Sequence, residues 1–201
     1  MDIKKFNLSA NCYVVSFENG ECFAVDIGMG GEMVLDYIKE NNLLLKAILI
    51  THGHFDHIGG TENIRLATGA TVYVSQEDSP MLTSDKLNLA EMALKTVEPV
   101  KEFKILNNSL VICGEVIAVY KTPGHTLGSV CFQLGKYLFT GDTLFKGGIG
   151  RTDFPNGDFD TIQKSLQFLK NLDGNLSLLA GHGENTTLEY ERKHNRFINW
   201  Y

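Results

Sequence analysis

Six consecutive positions, His52-Gly53-His54-Phe55-Asp56-His57, hold three of the chain's six histidines and an aspartate. Imidazole nitrogen and carboxylate oxygen together suit Zn, Mn or Fe. Side chains two apart on extended backbone point the same way, so His52 and His54 can approach one ion. Asp56 and His57 are neighbours and diverge unless the chain turns there, a turn that Gly53, Gly59 and Gly60 permit. The bland alternative is a solvated polar loop, but few loops concentrate histidine this densely.

Other polar groups close apolar runs in the same manner. Thr122-Pro123-Gly124-His125-Thr126 follows the run ending at Tyr120, Gly141-Asp142-Thr143 follows Phe139-Thr140, and Gly181-His182-Gly183 follows Leu178-Leu179-Ala180. Alone, His125 or His182 reads as a surface or satisfied histidine. With the first motif they account for five of the six, leaving His194, amid Arg192, Lys193 and Arg196, as a solvated face residue. Asp26 ends the apolar run before Gly28 and has two readings, a turn former or a carboxylate that orients a metal ligand. No Gly-x-Ser-x-Gly elbow occurs, which argues against a serine nucleophile.

These groups need strands to deliver them. Residues 47–51 are short, apolar and β-branched, a buried strand that puts the first motif at its carboxyl end. Residues 11–17 and 22–28 flank a polar, glycine-containing turn and predict a hairpin. Residues 32–42 place Met33, Val34, Tyr37 and Ile38 at helical spacing. A helix over 61–68, ended by Gly69, and a strand over 70–74 follow. Ser79-Pro80 breaks the chain, and 85–97, with Leu87, Leu89, Met92, Ala93 and Leu94, predicts a helix packed over the sheet. Short strands are expected at 103–106, 110–113, 116–120, 130–134 and 137–140, then a helix at 159–171, a strand at 176–180 and a helix from 188 toward 197. This alternation signals an α/β layered fold. Hairpins followed by α/β units occur twice, which fits one compact domain of two similar halves.

Composition bounds the partners. An apolar fraction of 43% over 201 residues is ample for a core. A net charge of −6 and the lack of a Lys/Arg run exclude a nucleic-acid footprint. No apolar run approaches the ~18 residues of a membrane helix, and Met1-Asp2-Ile3-Lys4-Lys5-Phe6 holds no apolar signal region, so a cytoplasmic protein is expected. Cys12, Cys22, Cys113 and Cys131 form no CxxC pair and read as buried thiols, with Cys12 and Cys22 able to face each other across the hairpin.

Taken together, His-x-His-x-Asp-His, Thr-Pro-Gly-His-Thr, Gly-Asp-Thr-Leu-Phe and Gly-His-Gly resemble the metallo-β-lactamase-fold hydrolases, above all glyoxalase II (hydroxyacylglutathione hydrolase) and its short bacterial relatives. The likeness runs from Asn11 to Phe197. It implies an αββα four-layer sandwich with two divalent ions, Zn first and Fe or Mn as alternatives, at one edge. It implies that His52, His54 and His125 hold the first ion, Asp56, His57 and His182 the second, and that Asp142 bridges them. Asp56 and Asp142 are then the catalytic carboxylates, and a small-molecule 2-hydroxyacyl thioester is hydrolysed by a metal-bridging hydroxide.

The chain departs from glyoxalase II in two places. Residues 1–201 are expected to make one domain, lacking the helical C-terminal domain that holds glutathione in that family. The family's basic residue resembles Arg151, but its aromatic partner position is Asp153 here, with Phe154 adjacent. Arg151 and Phe154 are thus candidate substrate-binding residues, the other reading of Arg151 being an ion pair with Asp153 or Asp26. The run Gly150-Arg151-Thr152-Asp153-Phe154 also resembles persulfide dioxygenases of the same fold, which use a mononuclear iron at the positions of His52, His125 and Asp142.

Overall fold

The computed structural model describes residues 1–199. One sheet is assembled in chain order from β1 (Asp2–Asn7), β2 (Asn11–Ser16), β3 (Glu21–Val25), β4 (Leu44–Leu49), β5 (Thr71–Val74) and β6 (Lys104–Ile105). Its first three strands are antiparallel and the rest parallel. The other sheet is assembled from β7 (Ser109–Ile112), β8 (Glu115–Lys121), β9 (Val130–Leu134), β10 (Tyr137–Gly141), β11 (Ser177–Ala180) and β12 (Thr186–Thr187), again with neighbours consecutive in the chain. Only β10 and β11 pair in parallel there. The helices are α1 (Glu32–Glu40), α2 (Phe55–Ile58), α3 (Thr61–Thr68), α4 (Phe159–Lys170) and α5 (Leu188–His194).

The period-2 alternation of strand side chains divides the core into three slabs. Along β2, Cys12 and Val14 face α1 and α3, where they join Val34, Ile38 and Ile64. Tyr13 and Val15 face the second sheet and pack with Phe132, Phe139 and Val119. On the far side of that sheet, Cys131, Leu138 and Leu178 pack against Leu166 and Leu169 of α4 and Leu188 of α5. Three apolar slabs between four layers are the expected αββα sandwich. Each fully buried Leu or Ile in them contributes about 1.5–3 kcal/mol.

The predicted helices and strands mostly match to within a residue or two, the usual uncertainty of element ends, α5 stopping at His194 rather than near 197. Three expectations are corrected. Residues 85–94 are a chain of turns, not a helix: Leu89 and Leu94 take left-handed backbone (φ 69° and 54°), and Leu94 is 93% exposed. The apolar spacing there serves a cleft instead of the sheet. Cys12 and Cys22 are not cross-strand partners, since Cys12 lies opposite Phe6 and Cys22 opposite Ser16. All four cysteines are free, and Cys113 is only half-buried because it turns the β7–β8 hairpin at φ 54°. Strand β1 was not foreseen. Its sequence, Asp-Ile-Lys-Lys-Phe-Asn, buries only Phe6 fully and gives little apolar signal.

Candidate metal centre

Strand ends deliver every candidate ligand. β4 leads through Thr51 into His52, Gly53 and His54, and α2 then supplies the turn that lets Asp56 and His57 converge. His125 follows β8, Asp142 follows β10 and His182 follows β11. The centre therefore takes four side chains from the first half of the chain and three from the second.

All seven meet. His125 Nε2 lies 2.9 Å from His54 Nδ1 and 3.2 Å from His52 Nε2. His182 Nε2 lies 3.2 Å from Asp56 Oδ2 and 3.4 Å from His57 Nε2. Asp142 stands between these sets, Oδ1 3.3 Å from His57 Nε2, and Oδ2 3.6 Å from His125 Nε2 and 3.5 Å from His182 Nε2. Donors on a tetrahedral ion with bonds near 2.0 Å sit about 3.3 Å apart, so these spacings fit shared cations. Three donor groups satisfy that geometry: His52–His54–His125, Asp56–His57–His182, and between them His52–His57–Asp142. His54 Nε2 and Asp142 Oδ1 are buried without hydrogen-bond partners. A buried carboxylate oxygen without a hydrogen bond is expensive unless a cation meets it, either a metal ion or, in the metal-free protein, the His57 ring 3.3 Å away. There is also no room for more protein: a Cβ on Gly181 would lie 2.3 Å from Asp142 Oδ1 and 2.7 Å from His57 Cε1.

The ring orientations are fixed from behind. His57 Nδ1 is 2.9 Å from Asp26 Oδ2, and His125 Nδ1 is 2.7 Å from the Arg151 carbonyl, so in both rings an Nδ1–H donor leaves Nε2 facing the centre. Asp26 combines both readings of its sequence. It turns the chain in left-handed backbone (φ 55°), and its carboxylate also accepts from Thr51 N at 2.8 Å and Thr51 Oγ1 at 2.6 Å. Sequence reasoning missed Asp78. Buried at 1% exposure, it accepts from Gly53 N, Gly128 N and Thr126 Oγ1 and so ties the first histidine loop to the loop bearing His125. An acidic residue in a polar stretch gives no local signal of that role.

Burial, with neighbouring histidines, pushes His52 well below its ordinary value and His54 down to about 3, leaving neutral rings with free lone pairs. Burial works against His57 too, but Asp142 and Asp26 override it and hold the ring well up. A hydrogen bond to Asp56 raises His182. Against its own burial, Asp56 is held at about 2 by His182 and His57. These shifts set the pH response of the metal-free protein. Unfolded histidine titrates near 6.5. Below that pH the unfolded chain takes up protons that His52 and His54 refuse, so stability is lost as pH falls toward about 3. Above it the folded chain keeps protons on His57 and His182 that the unfolded chain releases, and their contribution is lost as pH rises through their folded values. Thermal melts of chelator-treated protein should therefore peak near pH 6.5, and a monotonic rise from pH 5 to 9 would contradict this reading.

The centre floors a cleft of about 370 Å³. Arg151 stands at its rim, paired with Asp153 through two bonds of 2.8 and 2.7 Å, and its guanidinium stacks 4.1 Å above the Phe154 ring. Of the ion pairs considered from sequence, the one with Asp153 is present; Asp26 is buried behind His57. Phe154 itself lies edge-on to His54, with ring centroids 5.8 Å apart. His194 is exposed, stacked on Tyr190 away from the centre.

A two-sheet sandwich with paired His/carboxylate donor sets at one edge defines a metal-dependent hydrolase scaffold. The chain belongs to the metallo-β-lactamase superfamily, whose family model matches residues 7–182. It is 34% identical over 196 residues to hydroxyacylglutathione hydrolase GloC of Haemophilus influenzae, covering 94% of this chain and 92% of that one. The structure is similar to the BLEG-1 B3 metallo-β-lactamase (TM-score 0.91, 31% identity, 98% and 99% of the two chains) and to TTHA1623 in a di-iron-bound form (TM-score 0.86, 31% identity, 98% and 100%). Among the described residues no helix is long and apolar enough to cross a membrane.

Proposed function

We propose that this chain, acting as one domain over residues 1–201, is a binuclear metal-dependent hydrolase of 2-hydroxyacyl thioesters. The observation that carries the reading is Asp142, whose two carboxylate oxygens lie within 3.6 Å of ring nitrogens from both donor sets. His52, His54 and His125 would hold one ion, Asp56, His57 and His182 the other, with Asp142 common to both. When bound, such ions supply an activated water at neutral pH and polarise the substrate carbonyl; Zn, Fe and Mn all suit these donors.

The rest of the cleft favours a thioester over an amide. Its two carboxylates, Asp56 and Asp142, are both held ionised and can accept protons but not deliver them. Its remaining lining is apolar apart from histidines of the centre and Arg151. With the cleft histidines serving as metal ligands, none would carry a proton to deliver, and that favours a leaving group that departs as an anion, which a thiolate does far more readily than an amine. Similarity to GloC supports the same substrate class.

Metal analysis of the purified protein together with a thioester panel tests this. Two ions per chain and turnover of S-lactoylglutathione are expected. One iron per chain, with sulfite formed from a persulfide under oxygen, would replace the reading with that of a persulfide dioxygenase. Arg151 has a separate expected result. Its ion pair is exposed and contributes little to stability, so Arg151→Ala should raise KM with kcat and melting temperature unchanged. Arg151→Lys should recover only part of the affinity, because it keeps the charge without the fork. An unchanged KM with a lowered melting temperature would make Arg151 purely structural.

A further inference from the structure

We propose that the cleft contains an acyl subsite selective for apolar chains, so that the preferred substrates carry an alkyl side chain of about four carbons or an aryl ring where lactoyl has a methyl. This rests on the thioester reading and narrows its substrate class. Above the metal floor the walls are Leu89, Met92 and Ala93 from one segment and Phe145, Ile149 and Phe154 from another. The lining includes no Ser, Thr, Asn, Gln, Tyr or Lys, and its one cation outside the histidines, Arg151, is exposed at the rim and already paired with Asp153. A small polar acyl group fills such walls poorly, and a thiol carrier with two carboxylates finds one partner for them.

The first wall is held in place by the backbone. Leu89 is buried in left-handed conformation (φ 69°), which a bulky residue adopts only when its surroundings enforce it. Asn88 enforces it from both sides. Its Nδ2 donates to the Met81 carbonyl at 3.1 Å, its Oδ1 accepts from Ala90 N at 2.9 Å, and its carbonyl accepts from Phe55 N at 2.9 Å. That last bond fixes the wall to α2, which carries Asp56 and His57. Met92, 64% exposed, forms the lip. A flexible thioether at the lip can close over chains of different shape.

Burying one methylene is worth about a fourfold gain, so three should exceed tenfold even when partly covered. The test compares kcat/KM of the metal-loaded protein for lactoyl, 2-hydroxyhexanoyl and mandeloyl thioesters of one thiol. The 2-hydroxyhexanoyl ester should lead lactoyl by at least about tenfold. Met92→Asp should erase most of that ratio, Met92→Leu should keep it, and Leu94→Asp, outside the cleft, should leave it unchanged. A second readout needs no turnover: calorimetry on metal-free protein should find S-hexylglutathione bound at least about tenfold more tightly than S-methylglutathione. Lactoyl turned over as well as 2-hydroxyhexanoyl, or equal binding of the two thioethers, overturns the subsite. If no thioester is hydrolysed while the hexyl preference persists, the thioester reading falls and the apolar subsite stands for another reaction.

Discussion

Asp142→Ala is expected to lower the content of both ions and to reduce kcat/KM by about a thousandfold or more. The magnitude follows from its position. Every other candidate ligand faces one donor set, or the seam through His52 or His57, whereas Asp142 reaches His57, His125 and His182 together. Removing it takes the negative charge from between two cation sites and leaves His57 with Asp26 as its remaining buried carboxylate partner. Elemental analysis and single-substrate kinetics on the same preparation check both parts. Full occupancy by two ions with an unchanged rate would end the bridging role.

Asp26→Asn is expected to weaken metal binding by about 10–100-fold, the usual penalty for removing a carboxylate behind a histidine ligand. The substitution keeps shape and suits left-handed backbone, so it isolates the charge. Asparagine has one carbonyl oxygen: in the place of Oδ2 it accepts from Thr51 Oγ1 and His57 and sets its NH2 against Thr51 N, and in the place of Oδ1 it accepts from Thr51 N and sets its NH2 against His57, where aspartate serves all three donors at once. The loss should fall mainly on the Asp56–His57–His182 set, because His57 is the ring Asp26 orients. Stepwise titration with a competing chelator resolves the two affinities. Equal weakening of both sites would mean that Asp26 supports the whole loop and not one ring.

The chemistry of the centre was legible because its residue types are rare and concentrated: His52 to His57 announces a metal motif without any knowledge of packing. The α/β layering was legible because apolar runs alternate with helical spacing, and the four-layer sandwich followed from the resemblance to the metallo-β-lactamase fold. What escaped depends on distant partners. Asp78 acts through Gly53 and Gly128, 25 and 50 residues away. The spacing of Leu89, Met92 and Ala93 satisfies a helix as well as it satisfies a wall. Only the left-handed turn at Leu89, imposed by bonds to Met81 and Phe55, decides between them. The pairing of Arg151 with Asp153 was one of the options read from sequence. Its stacking on Phe154 needed coordinates.

Both sheets have their strands in chain order, each drawn from its own half. Local neighbours speed folding, and docking of preformed units comes later and more slowly. Each half can thus register its strands locally, although the inner faces of the two sheets are covered only by each other, and neither half alone holds a complete donor set: His125 and His182 must travel to the loop after β4. The metal centre comes into being only when the halves meet. Ion capture then clocks the final event of refolding, and a metal-sensitive dye should report a phase slower than the recovery of backbone circular dichroism.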